Sequence, residues 1–199
     1  MGETTTLEAP AGERTATRRS AVLVLASGGM DSTACVSFYA SRNYDISLLF
    51  VDYGQPARAP ERTAVRRVQR HYDVPLREVK IAGLAAGPGF VPGRNGLLIA
   101  CALAACPFEV GTISIGIHSG TRHVDCGSSF VDAAQHLADL YSGGRIQIGA
   151  PFVSWDKQQV FSYCKVANVP IGATYSCETG AANGCGTCAT CKDLRELHV

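Results

Sequence analysis

Neither sign of charge dominates this sequence: Lys and Arg number 18 against 17 Asp and Glu, a formal net charge of +1. So even a balance gives no bulk attraction to nucleic acid, and no direct nucleic-acid partner is expected. No apolar run approaches the roughly 20 residues that a membrane helix needs, so no membrane partner is expected either. The first residues lack the apolar segment that drives secretion, so the expected compartment is the cytoplasm. No internal repeat and no break in composition mark a second domain. The 199 residues fit one domain, and a hydrophobic content of 46% suffices for a sizeable core. Residues 1–20 are polar and aperiodic and read as a disordered N-terminal tail, leaving 21–199 as the domain. Nine cysteines are the surplus. In a reducing compartment they make a poor disulfide framework and are expected to include metal ligands.

One short stretch orders the rest. Residues 21–26 are apolar enough for a buried strand. Ser27, Gly28, Gly29, Met30, Asp31 and Ser32 follow, and residues 33–40 have the length of a helix. A strand, a glycine-rich turn and a helix start form an anion cradle. Glycine lets the backbone approach a ligand closely, and the unpaired N–H groups of the first helical turn face it. Ser27 and Ser32 add hydroxyl donors, and Asp31 stands where a metal ion would be met. The stretch has neither the Gly-Lys-Ser/Thr of a Walker loop nor the spaced glycines of a dinucleotide fingerprint. The plainer alternative is an ordinary strand-to-helix turn.

Further strands are expected over 46–51, 76–81, 110–117 and 146–148. Helices are expected over 59–71, over 97–105, after a cap at Ser128 or Ser129, and over 155–169 before Pro170. This alternation predicts an α/β fold with a five-stranded, parallel, doubly wound sheet. Ligands sit at the carboxyl ends of such strands, which would bring Asp52 and Tyr53 to the same edge as the glycine-rich turn. A turn with a half-exposed tyrosine is the bland alternative. Arg94 stands at a helix start, where a cation gains nothing from the dipole and is expected to meet an anion. Asn95 is an acceptable N-cap. Asp125 and Cys126 close a polar loop, 118–126, at the same sheet edge. Cys126 is open between a substrate contact and a nucleophile, with no adjacent base to assign. The small, flexible stretch 82–89 is a loop that could cover a site.

The second strong signal is Cys177, Cys185, Cys188 and Cys191, in the spacing C-x7-C-x2-C-x2-C. Two successive C-x2-C steps let several sulfurs converge on one ion. Four thiolates suit a closed tetrahedral Zn²⁺ site or an iron–sulfur cluster. A redox dithiol and unliganded core thiols are weaker readings. Cys35, Cys101, Cys106 and Cys164 lie in apolar helical contexts and read as small core residues.

The loop resembles the Ser-Gly-Gly-x-Asp-Ser signature of the PP-loop ATP pyrophosphatases, an adenine nucleotide alpha-hydrolase-like fold. Further stretches resemble one branch of them. Asp52-Tyr53-Gly54-Gln55, then Phe90-Val91-Pro92-Gly93-Arg94-Asn95, then Asp125-Cys126 occur in the order found in the 7-cyano-7-deazaguanine synthase family. Ser176-Cys177 with Gly184-Cys185-Gly186 and Cys188 and Cys191 is similar to that family's zinc site. The resemblance covers about residues 21–195. It implies an ATP-dependent carbon–nitrogen ligase of queuosine metabolism, acting on 7-carboxy-7-deazaguanine and ammonia through an activated carboxylate and an amide. It further implies ATP held by residues 27–32 with Asp52 and Tyr53, Mg²⁺ at Asp31, and catalytic parts for Asp31, Arg94 and Asp125. One Zn²⁺ per chain in a small C-terminal element and a homodimer complete the expectation.

Departures fall where substrate is read. Pro56 stands where the family usually has Arg, and Glu178 where it has an aromatic residue. Thr121-Arg122-His123-Val124 separates Ser119-Gly120 from Asp125-Cys126, where the family usually reads Tyr-Pro. The connection before Val91 is short. These changes keep other readings in view: a paralogue that stops at the amide or transfers the acyl group to another amine, for example on a protein; a tRNA-thiolating PP-loop enzyme; or a zinc-knuckle module without catalysis.

Overall fold

The computed structural model describes residues 19–84, 87, 89–106, 110–121 and 123–197. The expected disordered tail therefore lies outside the described residues, apart from exposed Arg19 and Ser20. Five strands run in the order β3-β2-β1-β4-β5: β1 Ala21–Leu25, β2 Asp45–Asp52, β3 Leu76–Lys80, β4 Thr112–Ser114 and β5 Gln147–Gly149. Every pairing is parallel, with Val22 opposite Ile46 on one side and Thr112 on the other. Six helices intervene or follow: α1 Met30–Ala40, α2 Arg58–Tyr72, α3 Arg94–Ala105, α4 Ser128–Ser142, α5 Lys157–Val166 and α6 Ala189–Glu196.

Alternation along β1 divides the core. Val22 and Val24 point to one face, where residues of α1, α2 and α5 such as Ala34, Val65 and Phe161 cover them. Leu23 and Leu25 point to the other, under Ile99 of α3 and Ala138 of α4. Both faces are covered, so the central strands read as continuous apolar runs. The chain runs outward from β1 through β2 to β3, then crosses to the opposite side at β4. Between β1 and β4 the two directions part, and a crevice opens at their carboxyl ends. Among the described residues no helix is long and apolar enough to cross a membrane.

Several boundaries differ from the sequence expectation. The strand expected over 110–117 is ladder-paired only at Thr112–Ser114, because beyond it the chain passes against the glycine-rich turn. A Cβ on Gly116 would lie 2.8 Å from the Asp31 carbonyl carbon and the Ser32 nitrogen. Asn95 is not an N-cap: Gly93 holds that position, and the Asn95 side chain is buried and donates 2.8 Å to the Asp125 carbonyl. Neither Ser128 nor Ser129 caps α4, which starts after Gly127 with no side-chain cap bond. The last long helix is shorter at both ends and starts at Asp156, whose side chain forms a capping box with Gln159. Helix α6 was not foreseen, since its residues were read only for their cysteines.

Ile113 is fully buried at the centre of β4. Truncating it as Ile113→Ala is expected to cost about 2–5 kcal/mol of stability, the range for large-to-small changes at buried aliphatic sites. Urea denaturation followed by circular dichroism reads that loss as a lower midpoint with an unchanged slope.

Candidate functional site

The glycine-rich turn is fixed by backbone contact on three sides. Gly28 has φ +78, and a Cβ there would meet the Glu61 carbonyl oxygen at 2.7 Å and the Ala64 Cβ at 2.9 Å. Only glycine fits such a position, in conformation and in space. Helix α2 therefore packs directly on the turn. From the C-terminal segment the Tyr175 N–H donates 2.8 Å to the Gly28 carbonyl, and Gly116 lies against its far side. Gly29 is the N-cap of α1, in extended conformation and without a side-chain cap bond, so the first N–H groups of α1 keep the open geometry of an anion site. The Ser32 and Thr33 hydroxyls donate to the Gly29 carbonyl at 3.1 and 2.9 Å.

The crevice beyond this turn has a volume of about 280 Å³. Ser27, Gly29, Met30, Asp31, Tyr53 and Arg94 line it. Gly28, Ser32, Asp52 and Asp125 are not at its surface and stand behind those residues. A second hollow of about 470 Å³ near Asn43, Tyr44 and Pro75 lies at the amino ends of β2 and β3. That is the end of a parallel sheet away from ligand sites.

Asp31 is the charged centre of the crevice. Lys157, the first residue of α5, reaches both its carboxylate oxygens with Nζ, at 2.7 and 2.8 Å. His118 Nε2 lies 3.8 Å from Asp31 Oδ2. Burial lowers the His118 pKa, outweighing the Asp31 charge that raises it, so the ring is neutral at pH 7. Its Nδ1 accepts the Gly120 N–H at 3.1 Å, which leaves the ring proton on Nε2, toward Asp31. Neither Lys157 nor His118 had been singled out from sequence. The capping box at Asp156 and Gln159 was the one local signal that could have placed Lys157 at a helix start.

Asp52 and Tyr53 divide their tasks. Asp52 Oδ2 pairs with Arg62 at 2.6 Å and Oδ1 accepts the Gly54 N–H at 3.1 Å. Burial raises its pKa, but the Gly54 N–H and Arg62 overcome that and hold it below the usual carboxylate range. Asp52 thus fixes the turn that presents Tyr53. Burial raises the Tyr53 pKa, partly offset by neighbouring Arg94, so its hydroxyl is a proton donor in the crevice. Asp125 lies in a short 3₁₀ turn, with Oδ2 buried and unpartnered among the described residues. Burial also raises the Cys126 thiol, which makes it a poor nucleophile. Phe90 and His123, also lining the crevice, stack at 4.6 Å with an interplanar angle of 8°.

The four C-terminal sulfurs converge. One atom each from Cys177, Cys185, Cys188 and Cys191 lies within 4.8 Å of the others, close to the roughly 3.8 Å edges of a tetrahedron with ~2.3 Å metal–sulfur bonds. Backbone amides support the thiolates: Cys185 N–H donates to Cys177 Sγ at 3.3 Å, and Cys188 N–H to Cys185 Sγ at 3.2 Å. Bonds from the Thr187 hydroxyl, the Thr187 N–H and the Cys188 N–H pull Cys185 down to about 5. At Cys177 burial raises the pKa, but bonds from Thr179 and Cys185 prevail and lower it to about 7. Burial lifts Cys191 to about 11. A divalent cation is the partner that would deprotonate the whole set. The donor set therefore fits a closed, four-coordinate metal site.

Known proteins resemble this chain over most of its length. A family model described as queuosine biosynthesis protein QueC matches residues 21–88 and 84–197. A 7-cyano-7-deazaguanine synthase of Synechococcus sp. (strain RCC307) is 28% identical over 203 residues, covering 87% of this chain and 91% of its own. That of Persephonella marina (strain DSM 14350 / EX-H1) is 32% identical over 208 residues, covering 89% and 91%. Among solved structures, the U34-tRNA thiolase NcsA of Methanococcus maripaludis, with its 4Fe-4S cluster, aligns with a TM-score of 0.51 at 13% identity. It covers 90% of this chain and 65% of that one, a likeness of fold alone.

The thiol cluster gives a direct test. Elemental analysis of the purified chain is expected to find one metal equivalent, lost in Cys188→Ser. The melting temperature should fall by at least about 4 °C, the shift that roughly 2 kcal/mol gives at this size.

Proposed function

The chain belongs to the QueC family of queuosine biosynthesis proteins, and from that premise we propose that it converts 7-carboxy-7-deazaguanine and ammonia into 7-cyano-7-deazaguanine. Relatives named for that product, matched over nine-tenths of their length, support the reading. The observation that carries it is the glycine-rich turn that opens beside Lys157 and Arg94 on a crevice wide enough for a small heterocycle.

The chemistry explains why such a site is needed. A carboxylate does not react with ammonia at neutral pH until one oxygen becomes a leaving group. ATP supplies that leaving group, once for the amide and once more for dehydration to the nitrile. The N–H groups at the start of α1 and the Ser27 hydroxyl would hold its phosphates. Gly28, Gly29, Met30 and Ser32 set the shape of that cradle. Asp31 would bind Mg²⁺, which requires Lys157 to leave at least one carboxylate oxygen. The released ammonium group then lies beside the phosphates, where a cation offsets developing charge. Arg94, beside Tyr53, would offset further negative charge. Tyr53 would face the nucleotide, steadied by Asp52, and Asp125 would act from behind the wall, where its carbonyl holds the Asn95 side chain that lines the crevice.

The same reading puts Zn²⁺ at Cys177, Cys185, Cys188 and Cys191 in a structural role. Four sulfurs within 4.8 Å of one another suit a single tetrahedral ion better than a cluster, whose several irons hold the thiolates further apart. It also includes a single catalytic domain from residue 21 onward, a disordered tail before it, a homodimer and a cytoplasmic location. Exposed Leu140 and Tyr141 at the end of α4 offer apolar surface for a second copy.

Mass spectrometry of products formed from 7-carboxy-7-deazaguanine, ATP, Mg²⁺ and ammonium tests the proposal. The nitrile is expected, and Asp31→Ala should lower its formation by at least about 10²-fold, as for loss of a principal electrostatic group. An amide alone, or no product from protein that binds ATP, would refute the nitrile-forming reading.

A further inference from the structure

Nitrogen reaches the site as ammonium, since ammonia is almost fully protonated in neutral water. Some group must hold that cation and take its proton, and the reaction as stated names none. Four carboxylates line the crevice: Asp31, Glu61, Glu178 and Asp193. Asp31 is occupied by Lys157 at 2.7 Å. Glu178 and Asp193 accept no hydrogen bond from a buried side chain among the described contacts.

Glu61 differs in each respect. It extends from the first turn of α2, the same residue whose carbonyl abuts Gly28, so its place relative to the phosphate cradle is fixed by backbone packing. The buried Gln55 amide donates 2.8 Å to Oε2. Gln55 is itself immobilised: its Nε2 also donates to the Val51 carbonyl at 3.2 Å, and its Oε1 accepts the Tyr53 N–H at 2.9 Å. The ion pairs of the described residues do not include Glu61. One oxygen is thus pinned and the other is left for the crevice.

We propose that Glu61 binds the incoming ammonium ion and acts as the general base for carbon–nitrogen bond formation. This rests on the reading of function given above. The nitrogen gives one proton to the Glu61 carboxylate, and the freed lone pair forms the C–N bond at the activated carboxyl carbon. The C–O bond to the leaving group breaks, and its electron pair departs with the phosphate oxygen of the nucleotide. The acid passes its proton to water and takes the second proton from the nitrogen, giving the neutral amide. Burial raises the Glu61 pKa, partly offset by the Gln55 bond, which makes the carboxylate a stronger base than an exposed one. The charged and titratable groups around it are Arg94 from α3, Asp52 and Tyr53 at the end of β2, and Tyr175 from the C-terminal segment. Arg94 lowers its pKa and Asp52 raises it. Both tyrosines are raised and remain neutral over the working range.

The test compares two nucleophiles on the full chain. Hydroxylamine is already unprotonated at neutral pH and traps an activated carboxyl group as a hydroxamate without needing a base. Glu61→Gln is expected to lower kcat/KM for ammonium by about 10²–10⁴-fold, the usual yield of general-base catalysis. Hydroxamate formation should stay within a few-fold of wild type, and the acidic limb of the ammonium pH profile should vanish. Glu61→Asp should restore that limb in part. Equal losses with both nucleophiles, or an unchanged ammonium rate, would overturn the assignment. A wild-type chain that makes neither hydroxamate nor nitrile overturns the reading of function and the assignment together; one that makes both while Glu61→Gln keeps both overturns the assignment alone.

Discussion

The structure depends on a backbone approach that tolerates no side chain. At Gly28 a single added carbon would lie 2.7 Å from the Glu61 carbonyl, and at Gly116 it would lie 2.8 Å from the Asp31 carbonyl carbon. These two contacts press the turn after β1 between α2 and the end of β4. They set the direction of α1, and with it the row of N–H groups that faces the crevice. The Tyr175 amide closes the third side. A loop held this way needs no flexible lid to become an anion site, because its donors are aimed before any anion arrives.

Charge in the crevice follows the same economy. Asp31 and Lys157 neutralise one another, His118 is uncharged, and the Asp52–Arg62 pair is set back behind Tyr53. Among the described residues, Arg94 and the crevice carboxylates Glu61, Glu178 and Asp193 stand outside any ion pair. A half-buried pair can exchange partners when a ligand brings its own charges. Asp31 and Lys157 have that character: a divalent cation suits the first and a phosphate the second. The metal cluster stays outside this exchange. Its four sulfurs converge on one another, and the segments that carry them reach the crevice wall at Tyr175, Ser176, Glu178, Thr190 and Asp193.

Much of this was legible in the sequence because its signals are local. The Val-Leu alternation of β1, the paired glycines and the cysteine spacing each state their geometry within a few residues. The parallel sheet with its helical connections followed from the alternation of elements, whereas the strand order came from the structure. Less was legible where a residue acts through distant contacts. Asn95 looked like a cap but instead holds the Asp125 carbonyl, a partner 30 residues away. Gly116 gave no sign that it was needed for close approach, since its neighbour is the loop rather than anything in its own strand. Glu61 and Lys157 lie in stretches read only as helices, and tertiary packing is what turns them toward the crevice. The short β4 had the same cause: apolar residues 115–117 read as strand, and contact with the loop ends the ladder early.

The Asp31–Lys157 contact joins residues 126 positions apart in the chain. Between them lie β2 to β5 and the helices α2 to α4, so closing that contact carries the entropy of ordering most of the domain. The residues of the anion cradle are adjacent in the chain, but Gly116, Tyr175 and the balancing cation of α5, which hold and answer it, come later. A ribosome that has released β1, α1 and β2 has therefore exposed the acid of this turn before the lysine that answers it has been made. The site becomes electrically complete only after residue 157 has emerged, which ties the onset of phosphate binding to the final stage of synthesis.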